Sequence, residues 1–70
     1  MKTIDARGYS CPEPVLMTRR GIADAADSLT VLCDTEVSKE NVSRFLKDAG
    51  YTVEAREIED YFEILAERKG

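Results

Sequence analysis

Two runs of alternating residues, Thr52–Ile58 and Tyr61–Arg68, are separated only by Glu59-Asp60. Val53 and Ala55 in the first run, and Phe62, Ile64 and Ala66 in the second, recur at every second position, the period of a strand with one buried face. A break of two residues holds a tight turn and nothing more. The runs must therefore fold back as an antiparallel hairpin with those apolar residues facing one another.

The upstream patterns supply the rest of the sheet and its cover. Thr3-Ile4-Asp5-Ala6 alternates and reads as a half-buried strand ending at Gly8. From Pro12 to about Ala26, Val15, Ile22 and Ala26 share one helical face, with Leu16 and Ala23 at its edge. Arg19 falls within that arc, and Met17 falls outside it. Leu29–Cys33, led by Ser28 and closed by Asp34, is a short β-branched apolar run that favours a strand. A second helix follows with the stripe Val42, Phe45, Leu46 and Ala49, and Gly50 stands where its C-terminus needs a left-handed residue.

The order is β-α-β-α-β-β. The first two strands, joined by a helix, are expected to be parallel with a right-handed crossover. The predicted fold is α+β, a two-layer sandwich in which two helices lie on one face of a four-stranded mixed sheet. Seventy residues allow one domain, 1–70, near the lower size at which a chain folds without staples.

A net charge of −4 with no basic block argues against a nucleic-acid backbone as partner. No apolar stretch approaches a membrane span and no signal-peptide pattern opens the chain, so a cytoplasmic location without a membrane partner is expected. The two cysteines, Cys11 and Cys33, lie 22 positions apart and histidine is absent. Neither a zinc site nor a Cys-x-x-Cys pair follows from that spacing, and no metal or other cofactor is expected. A reactive cysteine here would also lack an imidazole to activate it.

Cys11 stands in Y-S-C-P-E-P-V-L. Proline is tolerated in the first turn of a helix because its missing N–H would have no partner there. With Cys11 as N-cap, Pro12 and Pro14 stiffen the helix start and fix where the sulfur points. The positive end of the helix dipole favours the thiolate; roughly 1 kcal/mol of such stabilisation lowers a thiol pKa of about 8.5 by somewhat under one unit. The neighbouring Glu13 opposes this. A buried, inert cysteine is the plain alternative, but a loop after a strand, in a small α/β domain, commonly exposes functional groups.

The stretch D-A-R-G-Y-S-C-P-E-P-V-L resembles the signature of the TusA/SirA family of small sulfur-carrier proteins, and S-K-E-N-V-S-R-F after Cys33-Asp34 is most similar to its YedF-like branch. The resemblance rests on Asp5, Gly8 and Cys11-Pro12-x-Pro14 and covers nearly the whole chain. It implies the β-α-β-α-β-β fold and a persulfide carried on Cys11, loaded by a cysteine desulfurase and passed to a downstream acceptor protein. For YedF-like members it implies sulfur or selenium metabolism. Two positions depart from the pattern: Tyr9 replaces a frequent leucine, and Thr35 replaces a proline that follows the aspartate at Asp34 in other carriers.

Other residues invite weaker readings. The C-terminal ends of parallel strands share a rim, so Cys33 is a candidate resolving thiol, although continuation of the Leu29-Val31 core alternation is the favoured reading. Arg19 and Arg20 are candidate docking charges, with the Arg19 stem lying along the sheet edge. Met17 would offer an adaptable apolar contact beside Cys11. Asp5 and Asp34 read as turn or capping groups that shape the rim. The leading expectation is a sulfur carrier and sulfurtransferase acting through Cys11. The alternatives are a thiol redox protein using Cys11 and Cys33, and a regulatory interaction module without catalysis.

Overall fold

A computed structural model of the chain describes residues 2–9, 13–23 and 27–68. Cys11, Pro12 and Ala26 lie outside the described residues. The elements are β1 (Lys2–Asp5), α1 (Glu13–Ile22), β2 (Ser28–Cys33), α2 (Glu36–Asp48), β3 (Tyr51–Ile58) and β4 (Tyr61–Arg68). The sheet order is β1-β2-β4-β3, with β1 parallel to β2 and the remaining pairs antiparallel. Among the described residues no helix is long and apolar enough to cross a membrane.

The sheet order follows from composition. β4 carries Phe62, Ile64, Leu65 and Ala66 and takes an interior place between β2 and β3. β3 carries Glu54, Arg56 and Glu57 and forms an edge, where charged side chains keep unpaired backbone groups from templating other chains. The register sets Val53 opposite Ala66 and Ala55 opposite Ile64. Only Ile58 and Tyr61 close the turn, and Glu59 adopts φ +50 to make it.

One sheet face is buried. Ile4, Leu29, Val31, Cys33, Tyr51, Ile64 and Ala66 form a single core with Val42 and Leu46 of α2. α2 buries Ser38, Val42 and Leu46 at i, i+4 and i+8, with Phe45 packed at the side. The expected member Ala49 is exposed instead, because it is the C-cap and its side chain has already left the stripe. Gly50, at φ +94, donates its N–H to the Lys47 carbonyl and ends the helix. Thr35 begins α2: its backbone is extended and its Oγ1 accepts from the Ser38 N–H at 3.1 Å.

α1 departs from the expected pattern in length and face. It ends at Ile22, since ten residues already span about 15 Å, matching the strands it covers. Its most buried residues are Pro14, Thr18 and Gly21, while Val15 and Ile22 are only half-buried. Ala23 is exposed, and Arg19 points to solvent rather than into the apolar arc. Met17 is half-buried and packs on the core rather than pointing away from it. Small residues win the inward positions because the helix lies close on the sheet. A Cβ on Gly21 would collide with the end of the Ile4 side chain. The Thr18 hydroxyl avoids an unpaired burial by donating to the Pro14 carbonyl at 2.8 Å.

Two substitutions check this account in chemical denaturation. Gly21→Val must displace the Ile4 side chain within the core and should lower stability by about 1–3 kcal/mol, the range for overpacking. Thr35→Ala removes the cap of α2 and should lower it by about 1 kcal/mol, with Thr35→Ser retaining most of the stability.

Candidate functional site

The parallel pairing of β1 and β2 brings their C-terminal ends to one rim. β4 runs antiparallel to β2, with Cys33 opposite Phe62, so the β3–β4 turn reaches the same rim. The loop that leads from β1 toward Cys11 starts there. Asp34 follows β2, and Thr35 opens α2 beside it.

The described part of this loop is held by hydrogen bonds at successive residues. The Ala6 N–H donates to the Leu32 carbonyl at 2.9 Å, extending the sheet one residue past β1. The Asp5 carboxylate accepts from the Arg7 backbone N–H at 3.1 Å and from the Arg7 guanidinium at 3.0 and 2.9 Å. The Arg7 guanidinium lies over the Tyr61 ring, 4.8 Å from its centroid. Gly8 adopts φ +85, a left-handed conformation open to glycine at little strain, and donates its N–H to Asp34 Oδ2 at 2.8 Å. The Tyr9 N–H donates to the Ala6 carbonyl at 3.3 Å.

Asp5 and Asp34 thus each accept a backbone N–H of the loop, one from its own strand and one across from β2. The Arg7 hydrogen bonds hold the Asp5 carboxyl down to about 2, and Asp5 in turn raises the Arg7 guanidinium above its ordinary value. The Asp5 contribution is complete above the ordinary carboxyl value and disappears as pH falls through about 2.

The remaining candidates divide between rim and core. Glu13 is half-buried and Pro14 buried in the first turn of α1. Arg19 and Arg20 are exposed in its last turn, away from the Cys11 end, and Met17 lies between, against the core. Tyr9, 49% exposed, and Val37, 62% exposed in the first turn of α2, are the large apolar side chains open to solvent among the described residues. Lys39 Nζ lies over the Phe62 ring at 5.1 Å. Among the described residues no group of three or more His, Cys, Asp or Glu side chains is arranged to hold a metal ion.

Cys33 is a free thiol with 0% exposure, in the core between Val31 and the rim. Burial, with a smaller contribution from the Asp34 charge, pushes its pKa up to about 11. It is a neutral thiol at physiological pH and a poor nucleophile there.

Arg7, Tyr61 and the capping role of Thr35 were not among the residues singled out from sequence. Asp5-Ala6-Arg7 carried a readable signal, since an aspartate often accepts from the N–H two residues on. Thr35, between an apolar strand and a helical stripe, carried another. Nothing in the sequence placed Tyr61 beside Arg7, because that contact crosses 54 positions of chain.

The raised Cys33 pKa gives a pH dependence. The folded state favours the neutral thiol, so its contribution is intact below about 9 and is lost as pH rises toward about 11. Denaturation midpoints compared between the natural chain and Cys33→Ala across pH 8–11.5 should converge over that window, by up to roughly 2 kcal/mol. Iodoacetamide should label Cys33 only when the protein is unfolded.

Comparison with known proteins gives a consistent answer. The family model described as "Sulfurtransferase TusA" matches residues 2–68. A Methanocaldococcus jannaschii protein that carries the name "Putative sulfur carrier protein" is 37% identical over 71 residues, covering 97% of this chain and 95% of that one. An Archaeoglobus fulgidus protein of the same name is 30% identical over 71 residues, covering 97% of each chain. The crystal structure of a SirA-like protein from Desulfitobacterium hafniense superposes with a TM-score of 0.90 at 30% identity, over the full length of both chains.

Proposed function

This chain belongs to the sulfurtransferase TusA family, and from that membership we propose that Cys11 is the residue on which it carries sulfur. The observation that bears most weight is the family match across residues 2–68, which encloses the Cys11-Pro12-Glu13-Pro14 segment. In the chain Cys11 stands two positions before Glu13, the first residue of α1. A thiolate at a helix N-terminus is favoured by the dipole there. The loop geometry is consistent with this role, because Gly8 and Arg7 are held by Asp34, just after β2, and by Tyr61 of the β3–β4 hairpin.

The transfer is a thiol exchange. The Cys11 thiolate attacks the terminal sulfur of the donor's persulfide; a bond forms between Cys11 Sγ and that sulfur, the donor's S–S bond breaks, and the donor leaves as a thiolate. A thiolate of the acceptor protein then attacks the terminal sulfur on Cys11 and restores it by the same balance. The donor is a cysteine desulfurase and the acceptor a downstream protein, both in the cytoplasm, with the YedF-like resemblance extending the cargo to sulfur or selenium. No oxidant or metal is needed. A redox role that pairs Cys11 with Cys33 has less support, because the Cys33 thiol is buried and its pKa is pushed up. Glu13, Pro12 and Pro14 then set the stiffness and charge of the helix start, and the exposed Arg19 and Arg20 remain the proposed contacts for partners.

The test is to incubate the protein with a cysteine desulfurase and free cysteine and to read intact mass. The expected result is one added sulfur, removed by reductant, present in Cys33→Ala and absent in Cys11→Ser. Unchanged mass with several desulfurases, or sulfur still gained by Cys11→Ser, would overturn the proposal.

A further inference from the structure

The geometry points to Arg7 as a positioning residue that braces the loop leading into Cys11 against the β3–β4 hairpin. The inference rests on the sulfur-carrier reading of Cys11 and deepens it. Three observations carry it. Arg7 stands four positions before Cys11 in the chain, on the last stretch of the loop before α1. Its guanidinium makes two parallel hydrogen bonds to Asp5, Nε to Oδ1 at 3.0 Å and a terminal nitrogen to Oδ2 at 2.9 Å. Its other contact, the Tyr61 ring at 4.8 Å, belongs to β4.

These contacts divide the work. Asp5 accepts from both the backbone and the side chain of Arg7, so the residue is locked onto the end of β1. The planar guanidinium can hold the carboxylate with its edge while its face meets the Tyr61 ring, a pair of contacts a lysine ammonium cannot reproduce. Gly8, the next residue, is tied to Asp34 at the end of β2. Two neighbouring residues of the loop are therefore fastened to β1, to β4 and to Asp34, the residue that follows β2. The side chains of Arg7 and Asp5 are about half exposed, at 43% and 53%, so the brace adds little to global stability and acts on the loop.

A carrier transfers sulfur only when its thiol meets another protein's reacting sulfur in line, and a loose loop lowers the fraction of encounters that are aligned. Small reagents approach from any direction and are much less sensitive to this. Loss of the brace should therefore slow loading by a protein donor while leaving small-molecule reactivity of Cys11 nearly unchanged.

The experiment compares the natural chain with Arg7→Ala, Arg7→Lys, Tyr61→Leu, Tyr61→Phe and the double variant Arg7→Ala/Tyr61→Leu. Amide hydrogen exchange at Arg7, Gly8 and Tyr9 reads the brace, and the initial rate of sulfur loading from a desulfurase reads its consequence. Loop exchange should rise about two- to fivefold in Tyr61→Leu, at least as much in Arg7→Ala, which also frees Asp5, and no further in the double variant than in Arg7→Ala, because the ring contact is already lost there. Loading should slow by about the same factor in the same variants, while the rate with a small disulfide reagent stays nearly unchanged. Tyr61→Phe keeps the ring and should behave as the natural chain, with Arg7→Lys between. If the natural chain loads and Arg7→Ala loads as fast, or the double variant shows the product of the single effects, the inference fails. If the natural chain takes up no sulfur, the carrier reading fails instead. Exchange then decides the brace: unchanged loop exchange in Arg7→Ala overturns it and a rise of about twofold or more upholds it.

Discussion

The antiparallel pairing of β4 with β2 is the contact on which both the core and the rim depend. It sets Ile64 opposite Val31 and Ala66 opposite Leu29, filling the centre of the sheet face that the helices cover. The same register sets Phe62 opposite Cys33 and carries the hairpin turn to the end where the β1–α1 loop begins. Had β3 taken the place beside β2, its Glu54, Arg56 and Glu57 would have stood in the middle of the sheet and Tyr61 would have been remote from Arg7. Glu57 shares the inward register of Val53 and Ala55, and placing that charge under the helices without a partner would be unfavourable, which favours the more apolar strand inside.

Close packing of α1 serves the same end. Gly21 lies against Ile4 and Thr18 is buried with its hydroxyl bonded to the Pro14 carbonyl, so the most buried positions of the helix are small, with Val15, Met17 and Ile22 packing at the sides. The first turn of α1 is thereby fixed relative to the C-terminal end of β1. The short connection between them has its described part tied down by Asp5, Asp34 and Tyr61. These ties act on the residues just ahead of Cys11 in the chain, the position proposed to carry sulfur.

The two cysteines illustrate how environment separates chemically identical groups. Cys33 is surrounded by apolar atoms and lies beside the Asp34 charge, both of which oppose ionisation. Cys11 stands two positions before α1 in the chain and is the residue proposed for sulfur transfer. Conversion of Cys33 into a nucleophile would require opening the core; its contribution is packing.

Periodicity alone determined the six elements and their order, because strands of period two and helices with an apolar stripe leave a pattern in any chain that must bury one face. The hairpin turn at Glu59-Asp60 and the helix end at Gly50 were legible for the same local reason, and the sulfur-carrier likeness was legible in the Asp5, Gly8 and Cys11-Pro12-x-Pro14 spacing. Tertiary structure decided the place of β4 between β2 and β3, the inward face of α1 and the contacts of the rim. Those outcomes depend on which surfaces fit at close range: Gly21 and Thr18 turn inward because the sheet comes too near for larger residues, and Arg7 meets Tyr61 because a register set elsewhere brings them together. Neighbours along a chain can disclose a helix or a strand, but contact between residues 54 positions apart exists only after the sheet has closed.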